Sequence, residues 1–461
     1  MKFGFGKSAD EAAASAITSA AQPVCGADDD YNGLMDLIGD AHFVLLGEAT
    51  HGTHEFYAER ARITQRLIVE KGFQALAVEA DWPDAWRVNR YVRGNDCSGG
   101  AGGASDVADL SAVQALQGFR RFPAWMWRND DVVKLVEWLH NVNANREAPE
   151  RVGFYGLDLY SLYISIGEVL RYLDQVDPDA ARDARARYAC FDHYDEDSQA
   201  YGYAANASAE SCQSAVVAQL QQLRQRDIES ALEDGACAND ALFYAQQNAH
   251  LVVNAEAYYR TMFTGRVASW NLRDRHMADT LDALAAHLTA PSGVPAKIIV
   301  WAHNSHLGDA RATESQRLGE WNLGQLTRER HGNKTRLIGF STYKGTVTAA
   351  SRWDGPAQCK RVLPALPGSY EAMLHQALPR DFVLPLIPGS NVAKALDERK
   401  LQRAIGVLYL PATERQSHYF FASLSQQFDA IIHMDTTSAL TPLESRAPPG
   451  REVPETYPEG I

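Results

Sequence analysis

Short apolar runs alternate with amphipathic stretches along this chain, and the alternation predicts buried strands separated by helices. The first run, residues 42–46, precedes a helical pattern that ends at Gly72. The apolar positions of that pattern are Phe56, Ile63 and Leu67. Glycine commonly ends a helix, because it adopts the left-handed backbone conformation without strain. The next apolar run begins directly afterwards, so the segment reads as a strand-helix-strand unit of a parallel sheet.

Four further runs are apolar or β-branched and end in a polar residue, as buried strands of a parallel sheet often do. They are residues 73–79, 152–158, 297–303 and 336–341. Helical periodicity fills the chain from 161 to 287, between the third and fourth strands. We therefore predict an α/β fold with a largely parallel sheet flanked by helices. An all-α insertion or subdomain lies between the third and fourth strands.

This pattern divides the chain into parts. We predict an N-terminal α/β part at 1–160, a helical insertion at 161–290, a C-terminal α/β part at 291–445 that completes the sheet, and a flexible tail at 446–461. Within the C-terminal part, further strands are predicted at 346–350, 382–387, 404–410 and 428–434. The Gly- and Ser-rich residues 94–108 are predicted to form a mobile loop able to cover a site.

Composition and charge narrow the class of protein. The 461 residues include 44 basic and 58 acidic ones, a net charge of −14, which disfavours a nucleic-acid partner because such proteins need a basic surface. The six cysteines are far apart, without a Cys-x-x-Cys pair, which suggests free thiols in a reducing compartment. Neither a secretory signal nor an apolar run of membrane-spanning length is visible, so we expect a cytoplasmic protein with no membrane partner.

Candidate chemistry clusters at the predicted strand ends. Residues 47–55, directly after the first strand, contain Glu48, His51 and two further ionisable side chains. In open α/β sheets, ligands bind beyond the carboxyl ends of the strands. The ends of the other strands carry Glu79, Asp81, Asp158, His303 and His306. Helix capping would explain Glu48 alone, and a core or surface position would explain His303 or His306 alone, but we expect the whole set to meet in one cleft.

Two further anomalies point to the same region. Arg60 falls on the apolar stripe of the first helix, where a guanidinium needs a buried carboxylate partner, and Glu48 and Glu79 are the candidates. Four tryptophans lie near strand ends: Trp82, Trp86, Trp125 and Trp127. They predict an apolar wall for a bulky ligand, with ordinary core packing as the alternative.

The chain resembles the erythromycin esterase family in residues 46–56 (Leu-Gly-Glu-Ala-Thr-His-Gly-Thr-His-Glu-Phe), 78–81 (Val-Glu-Ala-Asp) and 301–306 (Trp-Ala-His-Asn-Ser-His). The resemblance continues in residues 122–129, 153–158, 271–276 and 414–419. It implies a family role for five side chains: Glu48 as the functional glutamate, His51 as the proposed general base, Arg60 as the essential arginine, Glu79 as a second glutamate and His303 as a later histidine.

The resemblance implies hydrolysis of the lactone ester of a macrolide antibiotic, with a small-molecule substrate and no required metal or cofactor. It implies hydrolysis more strongly than antibiotic resistance. In a mechanism of this kind His51 deprotonates water, and Glu48 or Glu79 orients the imidazole. Arg60 or His303 faces the oxyanion.

Three alternatives stay open at the level of sequence. The same histidines and glutamates suit a divalent metal ion and a metal-dependent hydrolase. A tryptophan-lined cleft suits a non-catalytic protein that binds a hydrophobic ligand. Covalent catalysis is open to Ser305, Ser341 or Ser417, and residues 414–419 either line the site or pack at the sheet edge.

Overall fold

The computed structural model describes residues 9–94, 108–208, 211–230, 235–291 and 293–444. The interior of the loop predicted at 94–108 and the tail predicted at 446–461 lie outside these residues.

Strands and helices alternate along the described chain. The strands are β1 Gln22–Pro23, β2 Phe43–Leu46, β3 Ala75–Asp81, β4 Gly153–Asp158, β5 Ile298–Trp301, β6 Thr335–Ala349, β7 Gln358–Val362, β8 Phe382–Pro385, β9 Lys400–Arg403, β10 Tyr419–Ala422 and β11 Ala430–Thr437. The α-helices are α1 Ala9–Ala20, α2 Asn32–Ile38, α3 His54–Lys71, α4 Trp82–Val92, α5 Ala112–Ala115, α6 Asp130–Asn143, α7 Leu162–Val176, α8 Pro178–Tyr188, α9 Ser198–Ser208, α10 Gln213–Ser230, α11 Gly235–Thr261, α12 Arg266–Thr289, α13 Asn304–Leu307, α14 Ser315–Leu318, α15 Leu323–His331, α16 Tyr370–Ala377, α17 Asn391–Ala395, α18 Glu414–Ser417 and α19 Leu424–Gln427.

The chain forms two compact units. The first comprises Met1–Phe73, Arg121–Val132 and Lys297–Ile461. The second comprises Gln74–Arg120 and Val133–Ala296. The four-part division expected from the sequence stays a prediction.

The sheet of the first unit has the strand order β1-β8-β11-β6-β2-β5, with β7 also paired to β6. Its centre is parallel, because β2 pairs in parallel with both β5 and β6, and β6 pairs in parallel with β11. Strands β8, β1 and β7 are antiparallel to their neighbours. Leu46, the last residue of β2, lies opposite Trp301 of β5 and Ile338 of β6. The predicted α/β fold with a mostly parallel central sheet is confirmed.

Helix α3 follows β2 and ends as the sequence predicts. Gly72 has a φ of 69°, in the left-handed region, and its backbone N–H donates to the carbonyl of Leu67. The apolar face of the helix is buried, including Phe56 and Ile63, so the helix covers one side of the sheet.

In the second unit, β3 and β4 form a parallel pair, in which Ala75 lies opposite Gly153. Helix α4 packs on β4, and α11 packs against α7, α9, α10 and α12. Helices α7 to α12 follow one another between β4 and β5 in the chain. No helix in the described part of the chain is long and apolar enough to span a membrane.

Two strand predictions were wrong in detail. The residues predicted as a strand at 404–410 contribute only isolated bridges, Ile405 to Thr50 and Leu408 to Ala350, because this segment touches two separate neighbours instead of running along one. The strand predicted at 346–350 is the end of the long β6. Gly345 interrupts the sequence pattern but continues the strand with a φ of 147°, where an added Cβ would lie 2.0 Å from the carbonyl oxygen of Thr437.

The expectation of free thiols was wrong for one pair of cysteines. Cys190 and Cys212 form a disulfide, with their Cα atoms 6.0 Å apart. The backbone N–H of Cys212 donates to the hydroxyl of Tyr201, which lies between the two cysteines in the chain. A separation of 22 residues without a recognisable motif hides such a pair in the sequence. Cys25 and Cys359 are free and exposed.

Candidate active site

A buried loop joins the end of β2 to α3 and carries two ionisable side chains, Glu48 and His51. Gly52 lets this loop pack on β6, because a Cβ there would lie 1.8 Å from the carbonyl oxygen of Thr348. The hydroxyls of Thr50 and Thr53 are hydrogen-bonded to each other inside the loop. Glu48 and His51 are therefore presented from a backbone that is fixed on the sheet, with 2% and 4% of their surfaces exposed.

The Glu48 carboxylate binds two partners with its two oxygens. His51 Nδ1 lies 2.8 Å from Oε1, and Arg60 Nη2 lies 2.6 Å from Oε2. A carboxylate only accepts, so Nδ1 of His51 carries the proton and Nε2 keeps its lone pair. The arrangement fixes both the tautomer and the orientation of the imidazole.

Arg60 lies within the core on α3, with 1% of its surface exposed. Its Cζ is 4.5 Å from the centroid of the Tyr57 ring and 4.4 Å from that of the Trp301 ring, so two aromatic faces hold the guanidinium. The indole N–H of Trp301 donates to the Thr64 hydroxyl at 3.0 Å. Of the two partners considered for Arg60, Glu48 makes the ion pair seen here.

His303 follows β5 and lies beside the loop. Its ring centroid is 4.9 Å from that of His51. The backbone N–H of Ser305 donates to His303 Nδ1 at 3.2 Å, and the Ser305 hydroxyl is 2.8 Å from the same nitrogen. Because Nδ1 accepts, the neutral ring carries its proton on Nε2, the opposite tautomer to His51. His306 is also buried, in α13.

A second buried cluster lies in the second unit, around Arg273 of α12. Its guanidinium binds both oxygens of Asp158, at 2.9 and 2.7 Å, and Glu79 Oε1 at 2.8 Å. Burial alone would lower the pKa of Arg273, but the neighbouring carboxylates of Asp158 and Glu79 hold that pKa well above its usual range. Asp81 accepts from the backbone N–H of Tyr160 at 3.0 Å. The structure thus brings Glu79 and Asp158 together through an arginine that was not among the predicted site residues.

All four predicted tryptophans are buried, two in each unit. Trp82 and Trp86 form an aromatic cluster with Tyr155 and Tyr244, in which Trp86 stacks on Tyr244 at 4.7 Å between centroids. Trp125 and Trp127, in the first unit, follow a cis peptide bond before a proline and keep 5% and 6% of their surfaces exposed. Aromatic packing accounts for the cluster in the second unit, and a ligand-contact role for the four side chains stays a prediction.

Residues 414–419 contribute to a third cluster, around Arg403 in the first unit. Glu414 Oε1 lies 3.3 Å from Arg403 Nε, and the Tyr419 hydroxyl accepts from the same nitrogen at 2.8 Å. Glu371 accepts from the Arg403 backbone N–H, and burial raises the pKa of that glutamate. The cluster ties β9, β10 and α16 together, which favours packing as the role of this segment.

The acidic and imidazole side chains are the candidate ligands for a metal ion. Among the residues that the structure describes, no group of three or more His, Cys, Asp or Glu side chains is arranged to hold a metal ion. Both carboxylate oxygens of Glu48 are hydrogen-bonded, one to His51 and the other to Arg60.

Comparisons with known proteins identify the family. The model of the Erythromycin esterase family matches residues 68–437, a range that includes Glu79 and His303 and begins after Glu48 and His51. Erythromycin esterase type II of Escherichia coli is 23% identical over 334 residues, 70% of this chain and 74% of that protein. The putative hydrolase YbfO of Bacillus subtilis strain 168 is 23% identical over 427 residues, 87% of this chain and 85% of that protein.

A solved structure of an erythromycin esterase mutant in its open conformation shares the fold. Its TM-score is 0.65 at 18% sequence identity, and the match covers 90% of this chain and 96% of that one. Hydrolase chemistry is what the family and these relatives indicate. Since the family model spans most of the sequence, this chain belongs to the erythromycin esterase family.

Proposed function

We propose that this chain hydrolyses a carboxylic ester with water that His51 activates as a general base. One observation carries the proposal: Glu48 binds His51 Nδ1 at 2.8 Å and so leaves the lone pair on Nε2 for a water proton. Imidazole suits this role because, as a class, it titrates close to neutral pH. The arrangement has the same logic as the acid-histidine pair of hydrolytic triads, with water in place of a serine.

The reaction that follows is balanced without any further reagent. The water oxygen attacks the carbonyl carbon while its proton passes to His51 Nε2, giving a tetrahedral oxyanion and an imidazolium. The carbon-oxygen bond to the leaving group then breaks, and the alkoxide takes that proton back from His51. Glu48 stabilises the imidazolium between the two steps. Arg60 is a positioning residue, because its Nη2 is bound to the Glu48 carboxylate.

We propose that His303 stabilises the oxyanion by donating a hydrogen bond to it. Its Nδ1 accepts from Ser305, so Nε2–H is the donor of this ring, and the ring centre is 4.9 Å from that of the proposed base. Loss of one oxyanion donor typically lowers kcat about 10²- to 10³-fold. The two opposite tautomers give one ring that takes a proton and one that donates a hydrogen bond.

The proposed substrate is a small-molecule ester, of which a macrocyclic lactone such as a macrolide is the first to test. The name of the Escherichia coli relative supports this class. Of the remaining predicted residues, we assign substrate contacts to His306, Trp125 and Trp127, which lie in the same unit as His51. The catalytic role of Glu79 and the substrate contacts of Asp81, Asp158, Trp82 and Trp86 stay predictions from the sequence. No cofactor takes part in the proposed reaction.

Steady-state hydrolysis of macrolides, simple lactones and aryl esters tests the proposal. His51→Gln should lower kcat about 10²- to 10⁴-fold, the range expected for loss of a general base, with an unchanged circular dichroism spectrum. His193→Gln is the control, because His193 is an exposed histidine of the second unit. Wild-type activity in His51→Gln contradicts the proposal. Activity that EDTA abolishes and Zn²⁺ restores would replace it with the metal-dependent alternative.

A further inference from the structure

Asn304 binds backbone on two sides of the candidate active site. It is the first residue of α13, directly after His303, and only 1% of its surface is exposed. Its Nδ2 donates to the carbonyl of Phe340 at 2.7 Å, and the Phe340 N–H donates to its Oδ1 at 3.3 Å. Its own backbone N–H donates to the carbonyl of Glu48 at 2.8 Å.

The side chain takes the place of a strand in the sheet. The N–H of Gly47 donates to Ile338, so alternate residues of β6 direct their backbone groups toward β2, and Phe340 is the next of them. Since β2 ends at Leu46, the backbone of Phe340 would lose its ladder partner there. The amide of Asn304, with one acceptor and one donor group, supplies both missing hydrogen bonds.

Gly47 is fitted to this amide. A Cβ at position 47 would lie 2.1 Å from Asn304 Oδ1 and 3.2 Å from its Cγ, whereas the nearest other atom, the Ile338 carbonyl oxygen, is 3.3 Å away. The asparagine side chain is therefore the principal obstacle to a larger residue at this position. The Asn304 side chain packs against the backbone of Gly47, where the chain leaves β2.

We infer that Asn304 is a positioning residue for hydrolysis, which sets the Glu48 loop against His303 so that the proposed base faces the proposed oxyanion donor. The inference rests on the proposed function. Asn304 is covalently next to His303 and hydrogen-bonded to Glu48, so any movement of its backbone changes the distance between the two histidine rings, 4.9 Å between centroids. Misplacement of reacting groups by about 1 Å lowers rates about 100-fold.

The first experiment separates positioning from stability. Asn304→Ala should lower kcat about 10- to 100-fold, while KM changes less than about threefold. Asn143→Ala is the matched control, because Asn143 is equally buried and its amide also bridges backbone, at Val92 and Val152. The control should lose a similar amount of thermal stability and keep its kcat. Wild-type kcat in Asn304→Ala, or an equal loss of kcat in both variants, overturns the inference.

The second experiment tests the fit of Gly47. Gly47→Ala should be strongly destabilising alone, and the Gly47→Ala/Asn304→Ala double variant should be more stable than Gly47→Ala, because the obstructing amide is gone. Its kcat should stay as low as that of Asn304→Ala, since the bonds to Phe340 are still missing. Equal destabilisation by Gly47→Ala in both backgrounds contradicts the contact on which the inference depends.

A third variant keeps the shape of the side chain, in case Asn304→Ala does not fold. Asn304→Asp loses the donor to the Phe340 carbonyl until its carboxyl is protonated, so its kcat relative to wild type should rise as the pH falls. A flat ratio overturns the inference. His51→Gln, measured in parallel, distinguishes the two proposals: full activity there removes the proposed function, whereas an inactive His51→Gln beside a fully active Asn304→Ala removes only the positioning role.

Discussion

Replacement of Arg60 by methionine tests whether the buried ion pair holds the candidate active site together. Methionine preserves the length and much of the volume of the side chain but removes the charge. Arg60 is 1% exposed and its Nη2 lies 2.6 Å from Glu48, so Arg60→Met leaves a buried carboxylate with His51 as its remaining partner. Breaking a buried pair from one side typically destabilises a protein by about 3 to 5 kcal/mol.

The aromatic contacts add to this loss. The guanidinium lies over the rings of Tyr57 and Trp301, at 4.5 and 4.4 Å from their centroids, and each such contact contributes about 0.5 to 2 kcal/mol. Methionine keeps contact with the rings through its sulfur, so only part of that contribution disappears. We expect the free energy of unfolding to fall by about 3 to 5 kcal/mol, with the ion pair as the larger part.

Urea denaturation measures the change, and Arg62→Met on the same helix is the control. Arg62 is 29% exposed and pairs with Glu59 at 2.8 Å, so its removal should change the free energy of unfolding by less than about 1 kcal/mol. The Arg60→Met/Glu48→Gln double variant should be more stable than the sum of the single changes predicts, because no buried charge is left alone. A loss below about 1 kcal/mol in Arg60→Met would refute the reasoning.

Two further predictions concern buried histidines outside the proposed site. Burial lowers the pKa of His418 and of His250 to about 4, whereas an unfolded histidine titrates near ~6.5. The stability that these neutral imidazoles contribute is therefore fully present above pH ~6.5 and is lost as the pH drops toward 4. In urea titrations between pH 7 and 4, His418→Gln should reduce that fall by roughly 3 kcal/mol, and an unchanged slope would contradict the assignment. Ser341→Ala removes a buried hydrogen bond to His433 Nδ1 at 2.9 Å and should lower stability by about 1 to 3 kcal/mol while kcat is retained. Loss of turnover, or an acyl-enzyme on Ser341 seen by mass spectrometry, would instead favour covalent catalysis.

Much of the sheet was predictable because its strands are buried on both faces. All four residues of β2 and all seven of β3 are buried, and such runs stand out as continuous apolar stretches. Strands β1, β7, β9 and β10 were missed, because they are short, partly exposed and antiparallel. The strands predicted at 336–341 and 346–350 are one strand, β6, in which Gly345 leaves room for the carbonyl of Thr437 in β11.

Only some residues of the buried clusters could be predicted from the sequence. Arg60 was detectable because one charged residue interrupts an otherwise apolar helical stripe. Arg273 was not, because it shares its helix face with other buried polar residues, including Asn271, Asp274 and His276, so no single position looks anomalous. The resemblance of residues 271–276 to the family was the available signal. The role of Asn304 depends on backbone atoms of Phe340, which a sequence does not reveal.

The amide of Asn304 stands in for a peptide group where β2 leaves the sheet. The backbone of β6 therefore keeps its hydrogen bonds at Phe340, although the partner there is a side chain. The residues after β2 need not pair with Phe340 of β6, so their peptide groups can make other contacts, such as the hydrogen bond from Asn304 to the carbonyl of Glu48. Reactive side chains can follow a strand in this way without leaving the backbone of the neighbouring strand unpaired.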